Sequence, residues 1–151
     1  MSPEMSPTVG HQLFSTQCFN EVWDLIERPQ RTENDDQLML STCYASIYHW
    51  LHRDDCVDQN LSIGYWQLSR VYSLLQNGPE AKRAAELCLK FSASLEPFYQ
   101  GYAYEAMARA TGIAGNTVEA KRLAVVARDF AGKVEEAESR DMLLKDLDAL
   151  S

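Results

Sequence analysis

Apolar residues recur at three- and four-residue spacings along most of the chain, which is typical of amphipathic helices. Alternation at every second residue does not persist, and β-branched residues are sparse, so strands are not predicted. Start and stop signals divide the pattern into about seven helices. They are predicted to cover about residues 11–27, 33–52, 61–76, 78–94, 97–112, 117–132 and 139–150, with a polar loop at 53–59.

Three of these helices begin with a recognisable capping signal. A Thr or Asn is followed three residues later by an acidic residue, the spacing at which a capping box forms. The pairs are Thr32 with Asp35, Asn77 with Glu80, and Asn116 with Glu119. The turns before Glu80 and Glu119 are short, and short turns make consecutive helices antiparallel neighbours.

One segment of the chain occurs twice. Residues 80–91 are matched by residues 119–130, at an offset of 39 positions. The same offset pairs Tyr65 with Tyr104 and Arg70 with Arg109. A fixed period of this size predicts stacked helical hairpins, an architecture whose usual role is binding rather than catalysis.

The two units resemble the tetratricopeptide repeat (TPR). In that family the first helix of each hairpin carries an aromatic residue, a Leu, a small residue and a Tyr at fixed positions, and the second helix carries three small residues. The matching positions are Tyr65, Leu68, Ser69, Tyr72, Ala81, Ala85 and Cys88 in the first unit, and Tyr104, Met107, Ala108, Ala120, Ala124 and Ala127 in the second. The period exceeds the usual one of about 34 residues, and Thr111 stands where the family has Tyr. Segments 34–36, 45–50 and 66–72 are similar to small uncharacterised bacterial helical-repeat proteins.

The resemblance implies an all-α fold: a right-handed stack of about three antiparallel hairpins closed by a C-terminal capping helix. Residues 11–151 are predicted to form a single domain, and residues 1–10 a disordered lead-in. The last helix is expected to cover the apolar face that the final hairpin leaves open.

Composition narrows the partners that the protein is expected to have. The net charge of −8 disfavours a nucleic-acid partner. No apolar run approaches the length that spans a bilayer, so no membrane partner is expected. Four cysteines without Cys-x-x-Cys spacing indicate a reduced, cytoplasmic setting. Neither a phosphate-binding Gly-x-x-x-x-Gly-Lys loop nor a dinucleotide fingerprint occurs, so no cofactor is expected.

In TPR proteins, exposed positions of the first helix of each hairpin line a concave groove. The resemblance carries this role to Ile63, Trp66, Arg70, Leu74, Tyr102, Glu105, Arg109 and Ile113. Arg70 and Arg109, one repeat apart, would form a clamp for a carboxylate. The alternative is that both arginines form local ion pairs, with Glu105 and Glu80 as candidate partners.

His49 and His52 are the candidate metal ligands, because a spacing of three places them on one helix face. The remaining histidine, His11, starts a different helix, and no Glu-x-x-His motif is present, so no metal site is predicted. We expect a non-enzymatic scaffold that binds a peptide or partner protein in its groove. The alternatives are a small metal-dependent or small-molecule-binding enzyme using His49 and His52, and a self-associating module that forms a homodimer.

Overall fold

A computed structural model of the chain describes residues 5–150, and within them every regular element is a helix. The prediction of an all-α fold with about seven helices is confirmed. The helices are α1 (Pro7–Ile26), α2 (Glu33–Leu51), α3 (Asp58–Leu74), α4 (Gly78–Ser92), α5 (Pro97–Ile113), α6 (Thr117–Ala131) and α7 (Ala137–Asp148).

The first helix begins earlier than the sequence pattern predicts. Ser6 caps α1 by accepting a hydrogen bond from the Val9 N–H at 3.2 Å, and Pro7 occupies the first turn, where its missing N–H costs nothing. The predicted start at His11 is therefore too late, and the lead-in predicted for residues 1–10 is already helical from Pro7. The first four residues of that lead-in lie outside the described part of the chain.

The helices pack as consecutive hairpins. The most extensive contacts join α1 to α2, α3 to α4, and α5 to α6, and further contacts between α2 and α3 and between α4 and α5 stack one hairpin on the next. Helix α7 packs against both α5 and α6, which is the covering position predicted for it.

The sequence repeat is also a structural repeat. Tyr65 stacks on Phe91 with ring centroids 5.8 Å apart and planes 8° apart. One repeat later, Tyr104 stacks on Phe130 at 5.5 Å and 13°. Because the same aromatic pair bridges the two helices of each hairpin, the 39-residue offset describes equivalent packing as well as equivalent residues.

The caps of α4 and α6 form differently from the predicted capping boxes. The Glu80 N–H donates to Asn77 Oδ1 at 3.2 Å, and the Glu119 N–H donates to Asn116 Oδ1 at the same distance. However, the Asn77 N–H donates to the Tyr72 carbonyl oxygen of the preceding helix at 2.9 Å, and the equivalent Asn116 N–H also reaches back, at 3.1 Å. The tight turn therefore satisfies the N–H that the glutamate side chain was predicted to bind.

Small residues let the last helices approach one another closely. A Cβ atom on Gly101 of α5 would lie 2.6 Å from Leu143 Cδ2 and 3.3 Å from Phe130 Cβ. Leu143 is fully buried in the core between α6 and α7, so it has little room to move away. Gly101 is therefore a close-packing position that allows α7 to sit on α5.

A pair of alanine substitutions in α5 tests this packing. Gly101→Ala should lower the free energy of unfolding by about 1–3 kcal/mol, because overpacking outweighs the gain in helix propensity. Gly112→Ala is the matched control, since its new Cβ would lie 3.8 Å from Ala120 Cβ, an ordinary contact. It should be neutral or stabilising by up to about 1 kcal/mol. Urea unfolding measures both, and equal effects would contradict the close approach at Gly101.

Candidate functional site

A pocket of about 290 Å³ opens on one face of the stack. It is formed mainly by α1, α3, α5 and α7, one helix from each hairpin and the last helix. Its lining residues are Phe19, Trp23, Ser62, Ile63, Trp66, Cys88, Phe98, Tyr99, Tyr102, Met142 and Asp146. Three residues of the predicted groove, Ile63, Trp66 and Tyr102, are among them.

Trp66 lies at the centre of the aromatic lining. Its ring is 5.7 Å from that of Trp23 and 5.5 Å from that of Tyr102, measured between centroids. The planes of Trp66 and Tyr102 meet at 81°, an edge-to-face arrangement. Phe98 meets Tyr102 in a similar way, at 5.1 Å and 76°. The pocket is therefore lined by aromatic rings in both edge-to-face and tilted contacts, since the planes of Trp23 and Trp66 meet at 32°.

A buried carboxylate holds Trp66 in place. Glu105, with 0% exposure, accepts a hydrogen bond from the indole Nε1–H of Trp66 at 2.9 Å. Its other oxygen, Oε1, pairs with the Arg109 guanidinium one helical turn away. Trp66 and Glu105 occupy equivalent positions of the two repeats, so this contact joins α3 to α5.

The charge state of Glu105 is shaped by burial. Removal from water raises the pKa of the Glu105 carboxyl to about 7, and the negative charge of Asp146 acts in the same direction. The hydrogen bond from Trp66 and the positive charge of Arg70 lower this pKa, but they do not outweigh burial. Glu105 is thus poised to change protonation near neutral pH.

A second carboxylate orients Tyr102. The Tyr102 hydroxyl donates to Asp146 Oδ2 at 2.6 Å, which links α5 to α7 at the edge of the pocket. Burial raises the pKa of Tyr102 well above its usual value, and the hydrogen bond to Asp146 adds to the shift. The phenol therefore stays protonated and remains a donor at neutral pH.

The two predicted clamp arginines have different environments. Arg109 is occupied by Glu105, as in the alternative of a local ion pair. Arg70 lies beside the same cluster, because its charge lowers the pKa of both Glu105 and Tyr102. Within residues 5–150, the Arg70 Nε is a buried side-chain atom without a hydrogen-bond partner. Arg109 therefore binds a carboxyl group of the protein itself and is not free to act as one half of a clamp.

The other predicted groove residues lie elsewhere. Leu74 packs against the hydrophobic core of the first two hairpins, and Ile113 ends α5 in a half-buried position. Sequence reasoning missed the contributions of α1 and α7, which supply Phe19, Trp23, Met142 and Asp146. The signal for Phe19 and Trp23 was their four-residue spacing on the apolar stripe of α1.

A second, more polar cleft of about 600 Å³ adjoins the pocket and shares Phe98 and Tyr99 with it. Its remaining lining comes from the start of α5, the segment before α7 and the first turn of α7. These residues are Glu96, Pro97, Lys133, Val134, Glu135, Glu136 and Ser139. Three carboxylates and one ammonium give this cleft a negative lining.

The three histidines lie close together where the start of α1 meets the end of α2. His11 Nδ1 and His49 Nδ1 are 2.8 Å apart, and the rings of His11 and His52 stack with centroids 5.0 Å apart. His11 was expected to lie far from His49 and His52 because it starts a different helix. This was wrong, because antiparallel packing brings the start of α1 to the end of α2. In residues 5–150 no group of three or more His, Cys, Asp or Glu side chains is arranged to hold a metal ion.

Burial lowers the pKa of His49, and the charges of His11 and His52 lower it further. The hydrogen bond between His11 and His49 needs one unprotonated nitrogen, so it is compatible with this direction.

Comparisons with known proteins do not add to this picture: no family model, curated protein or solved structure matches the chain. Among the described helices, none has both the length and the apolar character required to cross a bilayer.

Glu105 should give the protein a distinctive pH dependence. Because its folded pKa is raised from 4.5 to about 7, protonation stabilises the folded state, and this stabilisation is lost as pH rises across that interval. The loss should total about 3 kcal/mol relative to Glu105→Gln, at about 1.4 kcal/mol per pKa unit. Urea unfolding of both proteins across this range measures the difference in slope. A wild-type stability that rises with pH relative to the variant would contradict the raised pKa.

His49 should act in the opposite direction. Its folded pKa is lowered from 6.5, so stability is complete above that pH and is lost as pH falls below it. His49→Gln, which can still hydrogen-bond to His11, should be less sensitive to acid than the wild type. Thermal unfolding compared at pH about 8 and about 5 measures this. Equal acid sensitivity of the two proteins would show that His49 is not responsible.

Proposed function

We propose that the protein is a non-enzymatic, TPR-like scaffold that binds a segment of a partner protein on the face where the aromatic pocket opens. The observation that carries this proposal is the composition of the pocket, which takes residues from every hairpin and from α7. A surface assembled from successive hairpins is the way in which helical-repeat proteins build binding sites. The equivalent aromatic stacking in the two repeats supports the TPR-like assignment.

The pocket is organised before any partner arrives. Trp66 is held by Glu105, and Tyr102 is held by Asp146, so neither ring has to be ordered on binding. Side chains that are already fixed reduce the entropy lost in association. Aromatic residues in a partly enclosed pocket are also the type that dominates binding energy at protein interfaces.

The size of the pocket indicates an anchor side chain. About 290 Å³ lies at the lower end of the range for small-molecule sites, and it is enough for one large side chain. The partner segment would place one residue in the pocket and continue across the adjoining cleft of about 600 Å³.

Two tryptophan substitutions separate the pocket from the rest of the surface. Met142 lines the pocket and is 50% exposed, so Met142→Trp should occlude it without disturbing the core. Val125 on α6 is 59% exposed and does not line the pocket, which makes Val125→Trp the matched control. Peptides selected from a display library on the wild type should bind Met142→Trp at least about tenfold more weakly, a loss of about 1.4 kcal/mol. Binding to Val125→Trp should change by less than about twofold.

Isothermal titration calorimetry of the selected peptides measures these affinities. Equal weakening by both substitutions, or selected peptides that bind away from the pocket, would refute the proposed binding face.

Sedimentation over a concentration range tests the self-associating alternative, in which a second copy of the chain fills the pocket. If the wild type is a dimer and Met142→Trp dissociates it, the pocket binds a second copy of the chain instead of a partner segment. The cytoplasmic location, the bacterial source and the absence of a nucleic-acid partner stay predictions of the sequence.

A further inference from the structure

We propose that the aromatic pocket receives a cationic side chain, a lysine-type ammonium on an alkyl stem, from a basic segment of the partner. This inference rests on the proposed function and specifies the chemistry of the bound segment. Among the pocket-lining residues, Asp146 is the one with a formal charge, and the lining is otherwise mostly aromatic or aliphatic. Aromatic faces combined with one carboxylate are suited to an alkylated cation rather than to an anion.

The aromatic rings that line the pocket have several orientations. Trp66 and Tyr102 meet at 81°, and Phe98 and Tyr99 meet at 87° with centroids 5.2 Å apart. Because the face of each ring carries partial negative charge, a cation in the pocket is attracted by each ring whose face borders it.

A hydrogen bond at the edge of the pocket strengthens this attraction. The Trp66 indole donates its N–H to the Glu105 carboxyl group, and the Tyr102 phenol donates its O–H to Asp146. Donation of the phenol hydrogen to the Asp146 carboxylate increases the electron density of the Tyr102 ring. Tyr102 is therefore a better partner for a cation than an isolated ring would be.

Charge around the pocket also favours a basic segment. The adjoining cleft contains Glu96, Glu135 and Glu136 against the single cation Lys133. The cluster behind the pocket holds two cations, Arg70 and Arg109, and two carboxyl groups, Glu105 and Asp146, so the acidic excess that favours a basic segment lies in the adjoining cleft. The net charge of −8 for the whole chain also favours a basic rather than an acidic segment.

A pair of small probes tests the pocket itself. Choline and dimethylbutanol have nearly the same shape, but carbon replaces the quaternary nitrogen in the neutral alcohol. NMR titration, following the Trp66 indole N–H, should show choline binding at least about fivefold more tightly than the alcohol. Asp146→Asn keeps an acceptor for Tyr102 but removes the charge, so it should reduce this preference to about twofold or less. Asp129→Asn, an exposed position on α6, is the control and should leave the preference unchanged.

Peptides distinguish failure of this inference from failure of the proposed function. In a display-selected peptide, replacing the anchor lysine with norleucine, which keeps the alkyl stem, should weaken binding at least about fivefold. Equal binding of the norleucine peptide, or selected peptides with apolar anchors, would overturn the cationic anchor while the binding face stands. Dimethylbutanol binding as tightly as choline would overturn it too. If choline binds with the expected preference but no selected peptide binds, the cation pocket is supported and the binding of a partner segment is refuted.

Discussion

The contact between Trp66 and Glu105 is the interaction on which the candidate site depends. A carboxyl group removed completely from water is costly unless its oxygens are hydrogen-bonded, and here an indole N–H and an arginine supply the bonds. The same contact fixes the ring of Trp66, which sets the positions of the neighbouring aromatic walls. Because Trp66 belongs to α3 and Glu105 to α5, the geometry of the pocket is tied to the stacking of the second and third hairpins.

The two repeats share their packing contacts and differ at positions around the pocket. Stacked Tyr–Phe pairs and asparagine caps recur with nearly the same geometry in the second and third hairpins. By contrast, Ile63 of the first repeat corresponds to Tyr102 of the second, and Trp66 corresponds to Glu105. These differences turn two similar hairpins into one asymmetric site.

Three of the eight residues predicted for the groove line the pocket, and the other five do not. The register of the repeat brought Ile63, Trp66 and Tyr102 to one face because their positions on helices follow a fixed period. It could not reveal that α1 contributes Trp23 or that α7 contributes Asp146, since neither helix carries the repeat. The histidines show the same limit: packing of α1 against α2 joins His11 to His49 across 38 positions of sequence.

The positions of the helices, their turns and the repeat were determined by the sequence alone. These features depend on local causes: apolar periodicity, caps such as Asn77, and glycines that end helices. Only the tertiary structure decided the shape of the pocket, the contact of Trp66 with Glu105 and the direction of the Glu105 pKa shift. Each of these depends on which groups from distant segments converge and on how completely they exclude water, and the spacing of residues along one chain does not contain that information.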